Sequence, residues 1–151
     1  MSRLNKLTGA PFRLRVGRSP IHHRGVFALE TIPRGKKVIE YTGDRLTRLQ
    51  VERRAHRNER MGAPGRNVYF ASISRDWVID GYKGGSGAQF INHCCDPNLV
   101  PQVLKGHLWF ISRRKIGAGE ELTMDYDYER GASKTPCRCG SAKCRGTMSR
   151  T

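Results

Sequence analysis

The sequence lacks any long apolar run. Of its 151 residues, 37% are hydrophobic and 8% aromatic, and the mean hydropathy is −0.61. The longest apolar run, Leu108-Trp109-Phe110-Ile111, has the length of a strand, far below the ~20 residues of a membrane-spanning helix. The residues from Met1 to Gly17 include basic side chains but no apolar signal segment, and internal repeats and low-complexity tracts are absent. We therefore expect neither a membrane-spanning protein nor a secretory leader.

Acidic side chains are also scarce. Thirteen Asp and Glu residues stand against 28 Lys and Arg residues, which gives a formal charge of +15 and a pI near 10.3. Such a charge favours non-specific contact with nucleic acid, although it also serves solubility alone. Five of the 13 acids lie close together, at Glu120, Glu121, Asp125, Asp127 and Glu129. This acidic segment is suited to attract a basic peptide; a solvated strand end is the alternative.

Length and periodicity predict one mainly β domain with one principal helix. A chain of 151 residues is one domain by the usual prior and buries roughly 70% of its unfolded surface. Short apolar or alternating runs bounded by turn residues predict strands, at residues 12–16, 38–43, 67–71, 77–81, 103–104 and 107–111. The stretch from Asp44 to Met61 predicts the helix, with Asp44 as its N-cap and residues 62–65 as its end.

The predicted helix is basic and has a narrow apolar face. Leu46 and Leu49 supply that face, so the helix belongs on the surface. Its basic residues are Arg45, Arg48, Arg53, Arg54, Arg57 and Arg60. Contact with a phosphate backbone and a merely solvated face are both consistent with this composition.

Glycines, polar groups and thiols come together at residues 84–98. They read Gly-Gly-Ser-Gly-Ala-Gln-Phe-Ile-Asn-His-Cys-Cys-Asp-Pro-Asn, so recognition groups lie where glycine and the Asp-Pro-Asn turn bend the backbone. This segment resembles the Asn-His-Ser-Cys-x-Pro-Asn signature of SET-domain protein-lysine methyltransferases, with Cys94 in the place of Ser. A second segment, Gly-Glu-Glu-Leu-Thr-Met-Asp-Tyr at residues 119–126, resembles the family's Gly-Glu-Glu-Leu-Thr-x-Asp-Tyr motif. The resemblance covers about residues 12–146.

The resemblance implies a fold that periodicity does not predict. It is the SET-domain β fold, with small sheets and a C-terminal motif threaded through a loop of the preceding chain as a pseudoknot, an exception to the usual absence of knots. The resemblance also implies three parts: an N-terminal extension at residues 1–11, a catalytic SET domain at residues 12–129, and a zinc-binding post-SET tail at residues 130–151.

The resemblance further implies methyl transfer from S-adenosylmethionine to the side-chain amine of a protein lysine. It assigns catalysis to Tyr126 and Tyr41, and contact with the substrate lysine to Tyr41, Ala71 and Met124. The implied cofactor-binding residues are Arg24, Gly25, Val26, Tyr69, Asn92 and His93. His23 stands where the family has the first glycine of its cofactor loop. From the strand pattern alone, Tyr41 would be a half-buried strand residue.

Residue chemistry is compatible with this activity. Methyl transfer needs a neutral amine, whereas free lysine has a pKa of about 10.4. A narrow channel of tyrosines lowers that pKa by desolvation, and a nearby sulfonium charge lowers it further, so alignment supplies most of the catalysis. Met124 stands where the family usually has Tyr or Phe, and it lacks the hydroxyl that restricts transfer to one methyl. We therefore predict di- or trimethyllysine as product, with filling of core space as the alternative role of Met124.

Three cysteines close the sequence at CxCx4C spacing: Cys137, Cys139 and Cys144. A disulfide across one intervening residue is strained, and five cysteines leave one unpaired in any disulfide scheme, so zinc fits better. Zinc needs a fourth ligand, which comes from Cys94 or Cys95 but not both, because adjacent side chains face opposite ways. The resemblance to the family's post-SET tail selects Cys95 and leaves Cys94 a free thiol. A reduced tail without metal is the alternative.

The predicted substrate is a basic protein, either a histone or a bacterial DNA-packaging protein. We expect an intracellular protein, at chromatin in a nucleus or at a bacterial nucleoid, with a secreted effector as a further alternative. The competing function is a non-catalytic, basic, zinc-stapled module that binds nucleic acid or a peptide. The enzyme is favoured by the presence of Tyr126, Asn92 and His93. The non-catalytic module stays an alternative because the chain departs from the family pattern at His23, Cys94 and Met124.

Overall fold

Three small sheets and one α-helix form the described part of the chain, which in this computed structural model is Leu7, residues 9–127 and residues 135–149. The elements in chain order are β1 (Leu14–Arg18), β2 (Arg24–Ala28), β3 (Lys37–Tyr41), β4 (Asp44–Thr47), α1 (Arg48–Arg60), β5 (Phe70–Ser72), β6 (Trp77–Asp80), β7 (Asn92–His93), β8 (Leu99–Leu104), β9 (His107–Ser112) and β10 (Glu121–Met124). Short 3-10 helices cover Pro64–Tyr69 and Ala88–Phe90. This confirms the predicted mainly β class with one principal helix.

The first sheet brings the two sequence motifs together. Its strand order is β1-β2-β10-β7, and β7 and β10 are parallel, with Asn92 opposite Thr123 and His93 opposite Met124. A parallel pair cannot be closed by a tight turn and needs a long connection, here the intervening hairpin β8-β9. The other sheets have the orders β3-β9-β8 and β4-β6-β5.

The core draws side chains from all three sheets. Val26 and Leu122 come from the first sheet, Ile39 and Phe110 from the second, and Ile79 from the third. Each is at most 2% exposed, and full burial of such a side chain contributes about 1.5–3 kcal/mol to folding. This packing holds the two paired motifs at one edge of the core.

The helix begins later than the sequence predicted. Residues 44–47 form β4, and Thr47 is the N-cap, since its side chain accepts from Gln50 N and its own main-chain N–H donates to Gln50 Oε1. Asp44 is therefore not the cap; its carboxylate binds Arg54 at 3.0 Å. In the described part of the chain, no helix is long and apolar enough to cross a bilayer.

The predicted strand at residues 67–71 is also shorter than expected. The chain forms the 3-10 helix Pro64–Tyr69 first, and only Phe70–Ser72 pairs with β6. The predicted boundary between residues 129 and 130 falls on undescribed residues, because residues 1–6, 8, 128–134, 150 and 151 lie outside the described structure.

Candidate active site and cysteine cluster

Asn92 anchors the turn that precedes β2. Its side-chain nitrogen lies 2.7 Å from Arg24 O, 3.2 Å from His22 O, 3.1 Å from Ser19 Oγ and 2.8 Å from Glu121 Oε1. Ser19 Oγ also donates to the Glu121 carboxylate at 2.7 Å. Because Asn92 is buried, this cluster fixes the turn of residues 19–24 against β7.

Gly25 is required by the same cluster. A Cβ at this position would collide with the Glu121 carboxylate and press on Ser19. Val26, the next residue, pairs with Val16 on one side and Leu122 on the other, and its side chain is fully buried. Val26 can therefore reach a ligand only through its main chain.

His23 and Arg24 form the exposed part of this turn. His23 has a φ of +33°, a left-handed value that glycine adopts easily and that costs other residues roughly 1 kcal/mol or more. The turn thus has a positive φ at the position where the family has glycine. The Arg24 guanidinium lies over the Phe90 ring, 5.5 Å from its centroid.

His93 links the candidate catalytic segment to the cysteines. Its Nδ1 accepts from Tyr126 N at 3.1 Å, so the ring proton belongs on Nε2, which lies 3.4 Å from Cys95 Sγ. Burial lowers the pKa of His93, and the neutral ring is 1% exposed. The imidazole therefore links the main chain of Tyr126 to Cys95. Any contact of His93 with a cofactor would come from its main chain.

Both predicted catalytic tyrosines donate their hydroxyl protons to main-chain carbonyls. Tyr41 Oη donates to Tyr69 O at 2.6 Å, and Tyr126 Oη donates to Ile91 O at 2.9 Å. Burial raises the pKa of Tyr41 far above its usual value, and the Asp80 charge adds to that effect. Tyr41 is consequently a neutral phenol whose oxygen can accept a hydrogen bond.

Aromatic rings lie beside this pair. The Tyr69 ring contacts Tyr82 and Phe90, with centroid distances of 6.0 and 6.4 Å. The resemblance predicts that Tyr69 lies next to a cofactor. In the structure the Tyr69 ring belongs to this aromatic group, and its carbonyl orients Tyr41. Ala71 and Met124 are half-buried and pack against the core.

Four cysteines form a cluster with metal-ligand geometry. The Sγ atoms of Cys95, Cys137, Cys139 and Cys144 all lie within 4.8 Å of one another, and Cys95 and Cys137 are 3.6 Å apart. A tetrahedral zinc with Zn–S bonds of ~2.3 Å separates its sulfurs by about 3.8 Å. The main-chain N–H of Arg145 donates to Cys95 Sγ at 3.4 Å. The donor set therefore fits zinc.

The pKa values of Cys139, inside the cluster, and Cys94, outside it, shift in opposite directions. For Cys139, burial acts to raise the pKa, but hydrogen bonds from main-chain groups of Cys95 and Ser141 outweigh it and lower the pKa to about 6. For Cys94, burial raises the pKa to about 11. The Cys94 thiol donates to Asp96 O at 3.4 Å and stays outside the group of four. Cys94 is buried and forms no disulfide; its role as a free thiol outside the metal site stays a prediction.

An ion pair that sequence reasoning missed ties the tail to β10. Arg145 binds Asp125 through both carboxylate oxygens, at 2.7 and 3.1 Å, and also donates to Met148 O. Burial acts to raise the pKa of Asp125, but the hydrogen bond from Arg145 outweighs it and the pKa is lowered. Because Asp125 precedes Tyr126, the cysteine-rich tail is connected to the candidate catalytic residue. The signal in the sequence that could have pointed to this ion pair is the position of Arg145 directly after Cys144.

The acidic segment does not form the free patch that the sequence suggested. Glu120 pairs with Arg114 at 2.8 Å, Glu121 is bound by Ser19 and Asn92, and Asp125 is bound by Arg145. Asp127 is exposed, and Glu129 lies outside the described residues. The first three of these acids therefore already have partners within the chain, and attraction of a basic peptide by the segment stays a prediction.

The paired motifs, the tyrosines and the cysteine cluster define the class of protein. Residues 23–127 match the SET domain family, and the chain belongs to that family.

Relatives named as histone-lysine N-methyltransferases match nearly the whole chain. The Homo sapiens protein SETD1A is 37% identical over 150 residues, which are 97% of this chain and 9% of the relative. The H3 lysine-4 specific enzyme of Saccharomyces cerevisiae is 36% identical over 152 positions, 96% of this chain and 14% of the relative. The set1 protein of Dictyostelium discoideum is 38% identical over 140 residues, 90% of this chain and 9% of the relative. The chain thus spans only a small part of the length of these relatives.

Proposed function

We propose that the chain is an S-adenosylmethionine-dependent protein-lysine N-methyltransferase whose substrate is a histone. The observation that carries the proposal is the parallel pairing of β7 with β10. It sets the buried Asn92–His93 pair beside the segment that leads to Tyr126, whose hydroxyl binds Ile91 O. The names of the relatives, which state histone-lysine methylation, support the same conclusion.

We infer that the cofactor binds against the turn of residues 19–25 and β7. The residues present fit such a ligand, because the turn is exposed at residues 22–24, has no side chain at Gly25 and is anchored by Asn92. The proposed cofactor-binding residues remain Arg24, Gly25, Val26, Tyr69, Asn92 and His93. When bound, S-adenosylmethionine supplies an electrophilic methyl group.

The tyrosines prepare the substrate amine in this proposal. Tyr41 and Tyr126 each give their proton to a carbonyl, so towards the lysine each hydroxyl oxygen acts as an acceptor of N–H bonds. These bonds orient the amine, while Ala71 and Met124 complete the channel. Burial among such rings disfavours the ammonium form of the substrate lysine. Because the phenol of Tyr41 keeps its proton, we assign Tyr41 a positioning role and not that of a base.

We propose that Cys95, Cys137, Cys139 and Cys144 hold a structural zinc ion. The ion would fasten residues 135–149 to the segment after β7, so that zinc affinity contributes to folding. On this basis residues 1–11 remain the proposed extension, residues 12–129 the SET domain and residues 130–151 the post-SET tail.

We propose a chromatin location, because the relatives of this chain are named for histone substrates. They are eukaryotic proteins, and they give no support to the bacterial nucleoid or to a secreted effector. The non-catalytic module is likewise not favoured by these relatives.

The proposal is tested by transfer of labelled methyl from S-adenosylmethionine to core histones. We expect label on a histone, and a loss of about 100-fold or more in kcat for Tyr126→Phe, because alignment of the amine depends on that hydroxyl. Tyr82→Phe is the matched control, since it removes an exposed hydroxyl outside the proposed channel. Equal rates for Tyr126→Phe and the wild type would remove Tyr126 from the mechanism.

A second readout separates the enzyme from the binding module. Binding of S-adenosylmethionine is measured by calorimetry on the zinc-loaded chain. Cofactor binding with transfer supports the enzyme. If the chain binds no cofactor and labels no histone, the non-catalytic module replaces the enzyme as the proposed function.

A further inference from the structure

A basic cavity lies beside the candidate channel and has no part in the proposed methyl transfer. Its volume is about 300 Å³, and it lies between α1, the 3-10 helix Pro64–Tyr69 and the turn after β6. Six of its lining residues matter to its chemistry: Arg54, Arg57, Arg66, Asp80, Tyr82 and Lys83. Four of the six carry positive charge, so the cavity is suited to an anion.

Within the described part of the chain, Arg54 is the one cation of this cavity that forms ion pairs. Arg54 binds Asp80 at 2.8 Å and Asp44 at 3.0 Å. Among the residues that the structure describes, no carboxylate forms an ion pair with Arg57, Arg66 or Lys83. Three unneutralised positive charges therefore face one cavity.

The helix extends this charge beyond the cavity. Arg53, Arg57 and Arg60 follow one another at i, i+4 and i+7 and so lie on one face of α1. Glu52 and Glu59, also seven residues apart, lie on another face, where Glu59 pairs with His56. The arginine row spans ~10 Å at ~1.5 Å per residue, which is about three phosphates of one strand at ~3.4 Å each.

Tyr82 gives the cavity an aromatic wall. The ring is 48% exposed, and the Arg66 guanidinium lies 4.7 Å from its centroid. Exposed aromatic rings interleaved with arginine suit nucleic acid, which offers bases to stack and phosphates to pair. An acidic peptide would use the cations but not the ring.

We propose that this surface, which consists of Arg53, Arg57, Arg60, Arg66, Tyr82 and Lys83 and which we name the basic helix surface, binds the phosphate backbone of nucleic acid. Binding is independent of sequence, because phosphate contacts carry no base information. Tyr82 packs near Tyr69, whose carbonyl accepts from Tyr41. Bound nucleic acid would thus lie next to the candidate channel. A basic protein that is itself bound to that nucleic acid would be presented to the channel. The proposal does not depend on catalysis.

The test measures binding of fluorescein-labelled DNA, as a mixed-sequence duplex and as its single strand, by anisotropy over a series of salt concentrations. The test variant combines Arg57→Ala, Arg66→Ala and Lys83→Ala in the full zinc-loaded chain. The control variant combines Arg34→Ala, Lys36→Ala and Lys115→Ala. These three residues are exposed, lie near one another at the Lys36–Ser112 contact, and give the same change in net charge.

We expect the test variant to bind at least about tenfold more weakly than the wild type at low salt. We also expect its log–log salt slope to fall by about 2–3 units, as loss of three phosphate contacts requires. The control variant should change binding much less. Equal weakening in both variants would show that only net charge matters and would overturn the proposal, as would absence of DNA binding by the wild type.

Two further measurements separate a lost binding surface from a lost fold and from a different partner. Thermal unfolding of the test variant should match that of the wild type, which shows that the variant is folded when it fails to bind DNA. A polyglutamate peptide is run as the alternative partner. Tighter binding of that peptide than of DNA, with loss in the test variant, would assign the surface to an acidic protein and overturn the proposal.

Discussion

We propose that Met124 controls how many methyl groups the proposed channel accepts. It is half-buried beside His93 in the β7-β10 pair, and it brings no hydroxyl to that position. We expect Met124→Tyr to shift the product from di- or trimethyllysine towards monomethyllysine by about fivefold, since one hydrogen bond is worth about 1 kcal/mol. Mass spectra of a methylated histone peptide at long incubation measure the ratio.

Met124→Leu is the control for this prediction. It keeps an apolar side chain of similar volume and adds no hydroxyl, so it should retain the product pattern of the wild type. Monomethyllysine alone from the wild-type enzyme would contradict the predicted multiplicity.

For individual residues, the sequence indicated which residues belong to the candidate site better than it indicated what each of them does. The motifs indicated Asn92, His93 and Tyr126, and the structure brings all three together. They did not indicate the roles of Ser19 and Glu121, because their partner Asn92 lies 73 and 29 residues away in the chain. A hydrogen bond between residues so far apart leaves no local pattern.

The cysteine-rich tail is the element whose stability we expect to depend on metal. The four sulfurs converge from two segments of the chain, so chelation should melt the tail and lower stability by several kcal/mol. Zinc content, measured by atomic emission, should fall in Cys139→Ser and stay unchanged in Cys94→Ser. Zinc loss in Cys94→Ser as great as in Cys139→Ser would contradict the assignment of Cys95 as the fourth ligand.

The Asp125–Arg145 pair connects that tail to β10. Each partner is about a quarter exposed, with side-chain exposures of 29% and 21%. We expect a double-mutant cycle with Asp125→Asn and Arg145→Met, measured by urea unfolding of zinc-loaded protein, to give a coupling of about 1–3 kcal/mol. The reason is that either single change leaves a partly buried charge unpaired.

The Lys143–Asp96 pair is the matched control, since it also joins the tail to the segment after β7. It is longer, at 3.6 Å, and more exposed, so its coupling should be below ~1 kcal/mol. Additive effects of the Asp125 and Arg145 changes would show that the bidentate pair does not couple tail and strand.

Element boundaries show where local sequence rules were insufficient. The basic pattern from Asp44 onward suits a helix, but residues 44–47 pair with Trp77–Asp80 and are thereby held as a strand. The capping box of Thr47 and Gln50 then sets the start of α1. The hairpin β8-β9 was predicted correctly in type because the Lys105-Gly106 turn is local, although its strands are longer than expected.

Across the whole molecule, charge was the least reliable guide. The net charge of +15 is real, but two acids of the acidic segment form ion pairs with Arg114 and Arg145, and Glu121 accepts hydrogen bonds from Ser19 and Asn92. One group of cations without a carboxylate partner among the described residues lies on the basic helix surface. Sequence composition counts charges, whereas only the fold decides which of them are paired.

The most direct test of the proposed activity is a mass spectrum of histone H3 after incubation with the zinc-loaded chain and S-adenosylmethionine that carries a deuterated methyl group. We predict deuterated methyl on the ε-nitrogen of a lysine, and its near absence with Tyr126→Phe. Label on another residue type, or undiminished label with Tyr126→Phe, would contradict the proposed activity.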